Sequence, residues 1–249
     1  MFTLVIGMKD PAPPIRFQKP PSLRERHQQS RHEMTQAILT AARLIMQRDG
    51  VAALNLHEIA RMIGVQTSAL YKYFPSKAAL YDELFRLGTQ MIYERMEAVY
   101  RRYEPSWERL YAWAATRMAF AQENPDLEHL LYHRDVPGFT PSEESMELSR
   151  KRLQSARAAM EEVINAGVID PSVPVDRALD LFLAVTSGIT EQHIANEPHL
   201  PVGQGRFGSL IPDALRLFQA AWSPAGAMPR DQSIPQAPSQ KGENNHAAE

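Results

Sequence analysis

Apolar residues recur at three- and four-residue spacing from about Ser30 to Trp222, and no convincing period-two alternation interrupts them. The pattern predicts a chain that is helical nearly throughout and leaves nothing from which to build a sheet. Its breakers are as informative as its stripes. Met34, Ile38, Ala41, Ala42 and Ile45 mark a first helix over about Ser30 to Arg48, and Gly50 stops it. A short helix over Leu56 to Ile63 ends at Gly64. Another, over Gln66 to Phe74, ends at Pro75. Asn55, three residues before Glu58, approximates a capping box, with Asn in place of Ser or Thr. Ser76 caps a long helix from Lys77 to about Tyr103.

Two short helices around a glycine turn, set between longer ones, outline a helix-turn-helix. Leu56, Ile59, Val65, Leu70 and Phe74 would form the small core that fixes the angle between them. Gln66, Thr67 and Ser68 would then open the second short helix, the end that such motifs place against base edges in the major groove. Gln can pair with adenine through two hydrogen bonds, whereas Thr and Ser are less selective. The alternative for Gln66 and Ser68 is a capping role. Lys77 at a helix N-terminus opposes the helix dipole, which suits a phosphate bound there; Asn55 could serve the other N-terminus in the same way. Arg61 reads as a solvated side chain.

Five further helices are expected, over about Ser106–Glu123, Pro125–His133, Pro141–Ala166, Val175–Ala195 and Arg206–Trp222. The ends differ in character. Five prolines between Asp10 and Ser22 exclude a helix there, and Arg24, Arg26, His27 and Arg31 extend a basic arm that could lie along a DNA groove. Ser223 to Glu249 is rich in Pro, Ser, Gln, Asn and Gly. The division is therefore a disordered arm over 1–29, a helix-turn-helix domain over 30–76, a helical body over 77–222 and a disordered tail over 223–249. Met8 or Met34 could be the true start.

The net charge of -2 hides an asymmetry: residues 1–77 carry +6 and residues 78–249 carry -8. A basic front on an acidic body suits a polyanionic partner held at one end. Cysteine is absent, which removes disulfides and thiolate chemistry. No apolar run approaches the roughly 20 residues of a membrane span. No Gly-rich phosphate loop, GxSxG elbow or HExxH pattern appears, so an enzyme is not expected, and no cofactor. His129 and His133 share a helix face, but a metal would need a third ligand such as Asp135 or His193; no metal site is expected.

The ordered set Ile59-Ala60, Gly64-Val65, Leu70-Tyr71, Tyr73-Phe74, Lys77 and Leu80, with Ile38, Ala41-Ala42 and Gly50 upstream, resembles the DNA-binding domain of the TetR family. The resemblance covers Arg31 to Leu80. Asn55, Gln66, Ser68 and Ile45 depart from the residues usual in the family without removing a charge or donor that DNA binding needs. It implies an all-α fold, a three-helix head joined by a long helix to a ligand-binding and dimerisation body. It places Tyr71 and Tyr73 near the DNA backbone with Lys72 beside them, where hydroxyl and ammonium groups position without reading sequence. It implies a cytoplasmic homodimer on double-stranded DNA, most simply a repressor released by a small, mostly apolar effector. An activator, or a DNA-bound protein whose body recruits a partner without an effector, are the alternatives.

For the body, Ala178, Leu181, Phe182, Ala184, Val185 and Ile189 form one stripe and Leu210, Leu215, Leu217, Phe218 and Trp222 another. Periodicity leaves monomer core and dimer interface equally open; the resemblance favours the dimer. Tyr93, Met96, Tyr100, Trp113, Met118, Tyr132 and Met160 are candidates to line an effector pocket, since Met and aromatic side chains suit adaptable apolar cavities. For any single one of them, filling the core is the simpler reading.

Overall fold

A computed structural model describes residues 23–133 and 136–224. Most of the basic arm, nearly all of the tail, and Asp135 lie outside the described residues. Ten α-helices and one 3-10 turn make up the regular structure of the described residues, and no strand occurs among them. None of these helices is long and apolar enough to cross a membrane.

The head contains α1 (Leu23–Asp49), a 3-10 turn (Val51–Ala53), α2 (Leu56–Met62) and α3 (Thr67–Leu70). Helix α1 reaches back to Leu23, ahead of the expected start near Ser30. The last part of the supposed arm is therefore helical. The breakers Pro20 and Pro21 lie just before it, and nothing after them opposes a helix.

Ile38, Leu39, Ala42 and Ile45 on α1 pack with Leu54, Ile59, Ala60, Leu70 and Leu80 in a continuous core. Of the five residues expected to set the α2–α3 angle, Ile59, Leu70 and Phe74 are buried, while Leu56 and Val65 are half-buried against them. Helix α3 is shorter than its sequence pattern. After Leu70 the chain tightens into turns, with Lys72 N–H donating to Ala69 O and Tyr73 N–H to Leu70 O. Pro75 disfavours helical geometry at Phe74, so the last turn cannot continue as α-helix.

Asn55 caps α2, its Oδ1 accepting from His57 N at 2.9 Å. The reciprocal half of the capping box is not made, because Glu58 turns instead to Arg48 at 2.8 Å. Gly64 turns the chain between α2 and α3 with φ of +74°, a conformation that L-side chains adopt at a cost.

Ser76 caps α4 (Lys77–Arg102) by accepting from Ala79 N. This helix belongs to both halves of the molecule. Its first turns bury Leu80, Tyr81 and Leu84, and its later turns bury Ile92, Met96 and Val99 in the body. The body is completed by α5 (Trp107–Glu123), α6 (Pro125–Tyr132), α7 (Glu143–Asn165), α8 (Val175–Asn196), α9 (Gly205–Gly208) and α10 (Ile211–Trp222). The single C-terminal helix expected over Arg206–Trp222 is thus two. Pro212 has no N–H for the Gly208 carbonyl, so the helix restarts with proline in its first turn.

Trp113 of α5 meets Phe182 of α8 at 5.0 Å between ring centroids, and Phe218 of α10 stacks on Trp222 at 4.5 Å. At Gly88, α4 and α6 come close: a Cβ there would meet Leu127 Cβ and Leu131 Cδ1 at 3.2 Å each.

Replacing Gly64 by Ala should lower stability by about 1–2 kcal/mol through the left-handed backbone. Replacing Asn55 by Ala should cost about 1 kcal/mol through the lost cap, whereas Asn55→Asp should preserve it. Thermal or denaturant unfolding checks all three.

Candidate nucleic-acid interface and effector cavity

Of the eight residues expected to face DNA, six are exposed and two, Thr67 and Tyr73, are half-buried. Gln66 occupies the N-cap position of α3 but makes no side-chain capping hydrogen bond, so its amide is left exposed. Ser68 is exposed one turn before Tyr71 and Lys72, which are exposed too. Tyr71 keeps 52% of its surface accessible, large for an aromatic residue beside a core. Thr67 is half-buried, and its Oγ1 lies 3.0 Å from His57 Nδ1, a contact that ties α3 to α2. Tyr73 is half-buried under the Arg31 guanidinium, which sits 5.4 Å from the ring centroid. Asn55 is exposed, with its carbonyl committed to the cap.

Lys77 is exposed, and its Nζ turns back to the Ala52 carbonyl at 3.3 Å and lies 5.5 Å from the Tyr81 ring centroid. The Tyr81 hydroxyl donates to Val51 O at 2.6 Å. Burial pushes its pKa up to about 12, so it stays a donor at neutral pH. Lys77 therefore has a structural task, clamping the 3-10 turn to α4, beside any contact with phosphate.

Not all the basic charge of the head is available. Arg48 is neutralised by Asp49 and Glu58, and Arg61 lies 3.5 Å from the same Glu58 carboxylate. Arg43 is committed elsewhere. Its Nε donates to Asp126 Oδ2 at 2.7 Å, and its Nη2 donates to Asp126 Oδ1 at 3.0 Å and to Asn124 Oδ1 at 2.9 Å. Gln47 adds a bond to Asp126 Oδ1 at 2.8 Å. This fork joins α1 of the head to the first turn of α6, where a carboxylate also complements the helix dipole. Arg24, Arg31 and Lys72 carry no carboxylate partner among the described residues.

In the body, a cavity of about 300 Å³ opens among α4, α5, α7 and α8. Of the seven residues expected to line a pocket, Met96, Tyr100, Trp113 and Tyr132 do so. Met118 and Met160 do not: both are fully buried, because their helical spacing turns them into the core. Tyr93 is half-buried outside the lining, with Lys151 Nζ 5.4 Å from its ring centroid.

The sequence reading missed Arg117 and Arg152, which join the lining. Their signal was present. Arg117 follows Trp113 by four residues and Arg152 precedes Ala156 by four, which puts each cation on an inward helical stripe. Arg117 forms a buried, two-pronged pair with Glu128 of α6, one arm 2.7 Å long. Its guanidinium also covers the Tyr132 ring at 4.1 Å. Two larger clefts lie elsewhere: one of about 410 Å³ beside Asp126 and His129, and one of about 570 Å³ beside Phe85 and Phe139 that shares Tyr132 with the body cavity. His129 and His133 stack ring on ring at 4.7 Å.

The family model described as bacterial regulatory proteins, tetR family, matches residues 38–84, the region containing α2, α3 and the start of α4. The nucleoid occlusion factor SlmA of Aliivibrio fischeri is 28% identical over 101 residues, 41% of this chain and 50% of that protein. The chain thus spans about half the length of such curated relatives. Among solved structures, the TetR-family transcriptional regulator PfmR of Thermus thermophilus superposes with a TM-score of 0.58. It is 20% identical, and the match covers 74% of this chain and 97% of that one. The transcriptional regulator FadR of Bacillus subtilis, in complex with stearoyl-CoA, gives 0.58 at 18% identity with the same coverage. The glycine turn at Gly64 and the exposed face of α3 fall within the matched residues, and residues 38–84 thus carry the N-terminal helix-turn-helix domain of the TetR family.

Proposed function

We propose that the protein is a ligand-responsive transcriptional repressor that binds a palindromic operator as a homodimer and is released by a small effector. The observation that carries the DNA half is the exposed, uncapped Gln66 at the start of α3, beside Ser68, Tyr71 and Lys72. Such a helix start presents side chains to base edges, while the flanking hydroxyls and ammonium hold phosphates. Tyr73, Lys77 and Asn55 support that surface, and Thr67 fixes the pitch of α3 through His57. One such head is too small for tight specific binding, and two heads about 34–36 Å apart would read successive major grooves.

The outer face of the last helices supports a dimer. Within one chain Ala178, Phe182, Leu215, Phe218 and Trp222 are already core. The exposed residues there include an apolar group, Val185 and Ala184 on α8 with Leu210, Leu217 and Ala221 on or just before α10, beside the exposed Arg216–Asp213 pair. Leu217 is 72% exposed. Paired about a two-fold axis, these faces would form a four-helix interface.

The effector half rests on the aromatic cavity and on its route to the head. Helix α6 carries Tyr132 at the cavity, Glu128 in the buried pair with Arg117, and Asp126 in the fork with Arg43. A ligand that fits the cavity best when α6 is displaced would favour a different placement of the heads, as differential affinity requires. The FadR neighbour, a protein of related fold, holds a small molecule, which supports this half. A second reading, a DNA-bound protein whose body recruits a partner, draws support from the likeness to nucleoid occlusion factors.

Selection of bound genomic fragments by the purified protein should return a palindrome. Lys72→Ala and Tyr71→Phe should weaken binding about equally on all sequences, with Lys72→Ala lowering the salt slope by about 1. Gln66→Ala should instead relax preference at one position of each half-site. Binding without sequence preference would overturn the regulatory reading. Leu217→Glu should shift the protein toward monomer in sedimentation and weaken operator binding with it.

A further inference from the structure

The body cavity has one polar end, and its charge is not balanced. Arg117 is closed off by Glu128, so its charge is spent within the protein. Arg152 is a second cation at the same tyrosine, its guanidinium 5.7 Å from the Tyr132 centroid. It is half-buried and forms no ion pair among the described residues. The nearby carboxylates stop short of it: Glu97 accepts from the Ser155 hydroxyl and Glu191 faces His133 at 3.4 Å, and neither pairs with Arg152. Arg150, two residues away, takes Glu143 and Glu147.

A second unmet group belongs to Tyr100, a residue that lines the same cavity. The Tyr100 hydroxyl is sealed from solvent and has no hydrogen-bond partner. Burial pushes its pKa well above the ordinary tyrosine value, so it remains an O–H donor. A buried donor left unpaired carries a desolvation penalty that an incoming acceptor would relieve. Apart from Ser187 and the edge of Tyr132, the rest of the lining is apolar, chiefly Ile92, Met96, Trp113 and Leu183.

We propose that the cavity takes a small monocarboxylate: a compact apolar body against Met96 and Trp113, and a carboxylate bonded by Arg152 and the Tyr100 hydroxyl. The assignment rests on the reading that this body binds a small molecule, and it adds the chemical class. A guanidinium suits a carboxylate because two parallel N–H groups match its two oxygens. The volume, about 300 Å³, lies at the low end for ligand pockets and favours a short chain or a single ring over a large conjugate.

Calorimetric titration of the full-length protein with octanoate and 4-phenylbutyrate, each beside its neutral amide, tests this. The acids should bind at least tenfold more tightly than the amides. Arg152→Gln should abolish that difference without weakening the amides, and Arg152→Lys should retain part of it. Tyr100→Phe should weaken the acids severalfold without lowering the melting temperature. Amides that bind as well as acids, or a preference that survives Arg152→Gln, would overturn the carboxylate assignment and leave a small-molecule cavity standing. Binding of neither acids nor amides would sink the assignment and count against the effector reading as well.

Discussion

Asp126 is the carboxylate on which the relation of head to body depends. Its side chain is wholly buried, which would be prohibitive for an unpaired charge. Arg43 and Gln47, both on α1, supply three of its hydrogen bonds, and the helix N-terminus adds a favourable field. Removing either Arg43 or Asp126 would strand the other, so the two helices are held in one relative position by electrostatics as well as by packing. An exposed pair would give no comparable constraint, since its charges could return to water at little cost.

Helix α6 is short, yet three of its side chains face three environments: the head through Asp126, the α5 wall through Glu128 and the cavity through Tyr132. Both carboxylates are deeply buried and each is matched by an arginine from another helix. Desolvation pushes the Glu128 carboxyl above its ordinary value, while the adjoining Arg117 pulls it back. Such pairs add little net stability over apolar packing, but they penalise misplacement heavily. They suit a helix whose position, rather than whose stability, has to be defined.

Much of this was legible in local sequence. Apolar spacing located most of the helices, and Ser76 marked where α4 starts. Gly64 and Pro75 punctuated the head where the chain turns. What local pattern could not carry was pairing across distance. Arg43 and Asp126 are 83 residues apart, and periodicity treats each as an ordinary surface charge. Met118 and Met160 show the opposite limit: the same residue types suit a core and a cavity wall, and only the tertiary arrangement separates them. The break before α10 was written in Pro212, but a proline two residues into a helix start looks much like one inside a helix until the neighbouring turn is known.

The close approach at Gly88 has a mechanical consequence. With Leu127 and Leu131 of α6 lying where a side chain would stand, α4 has no soft layer there to absorb a push from α6. Helix α4 has 26 residues, or about 39 Å of nearly rigid rod at 1.5 Å per residue. It is gripped by the head at one end and borders the cavity toward the other. The contact at Gly88 lies between, so any tilt of α4 about that contact would move the two ends of the rod in opposite directions. The smallest residue in the helix thus sets how closely α4 and α6 approach, and any side chain placed there would push the two helices apart by a few tenths of an ångström.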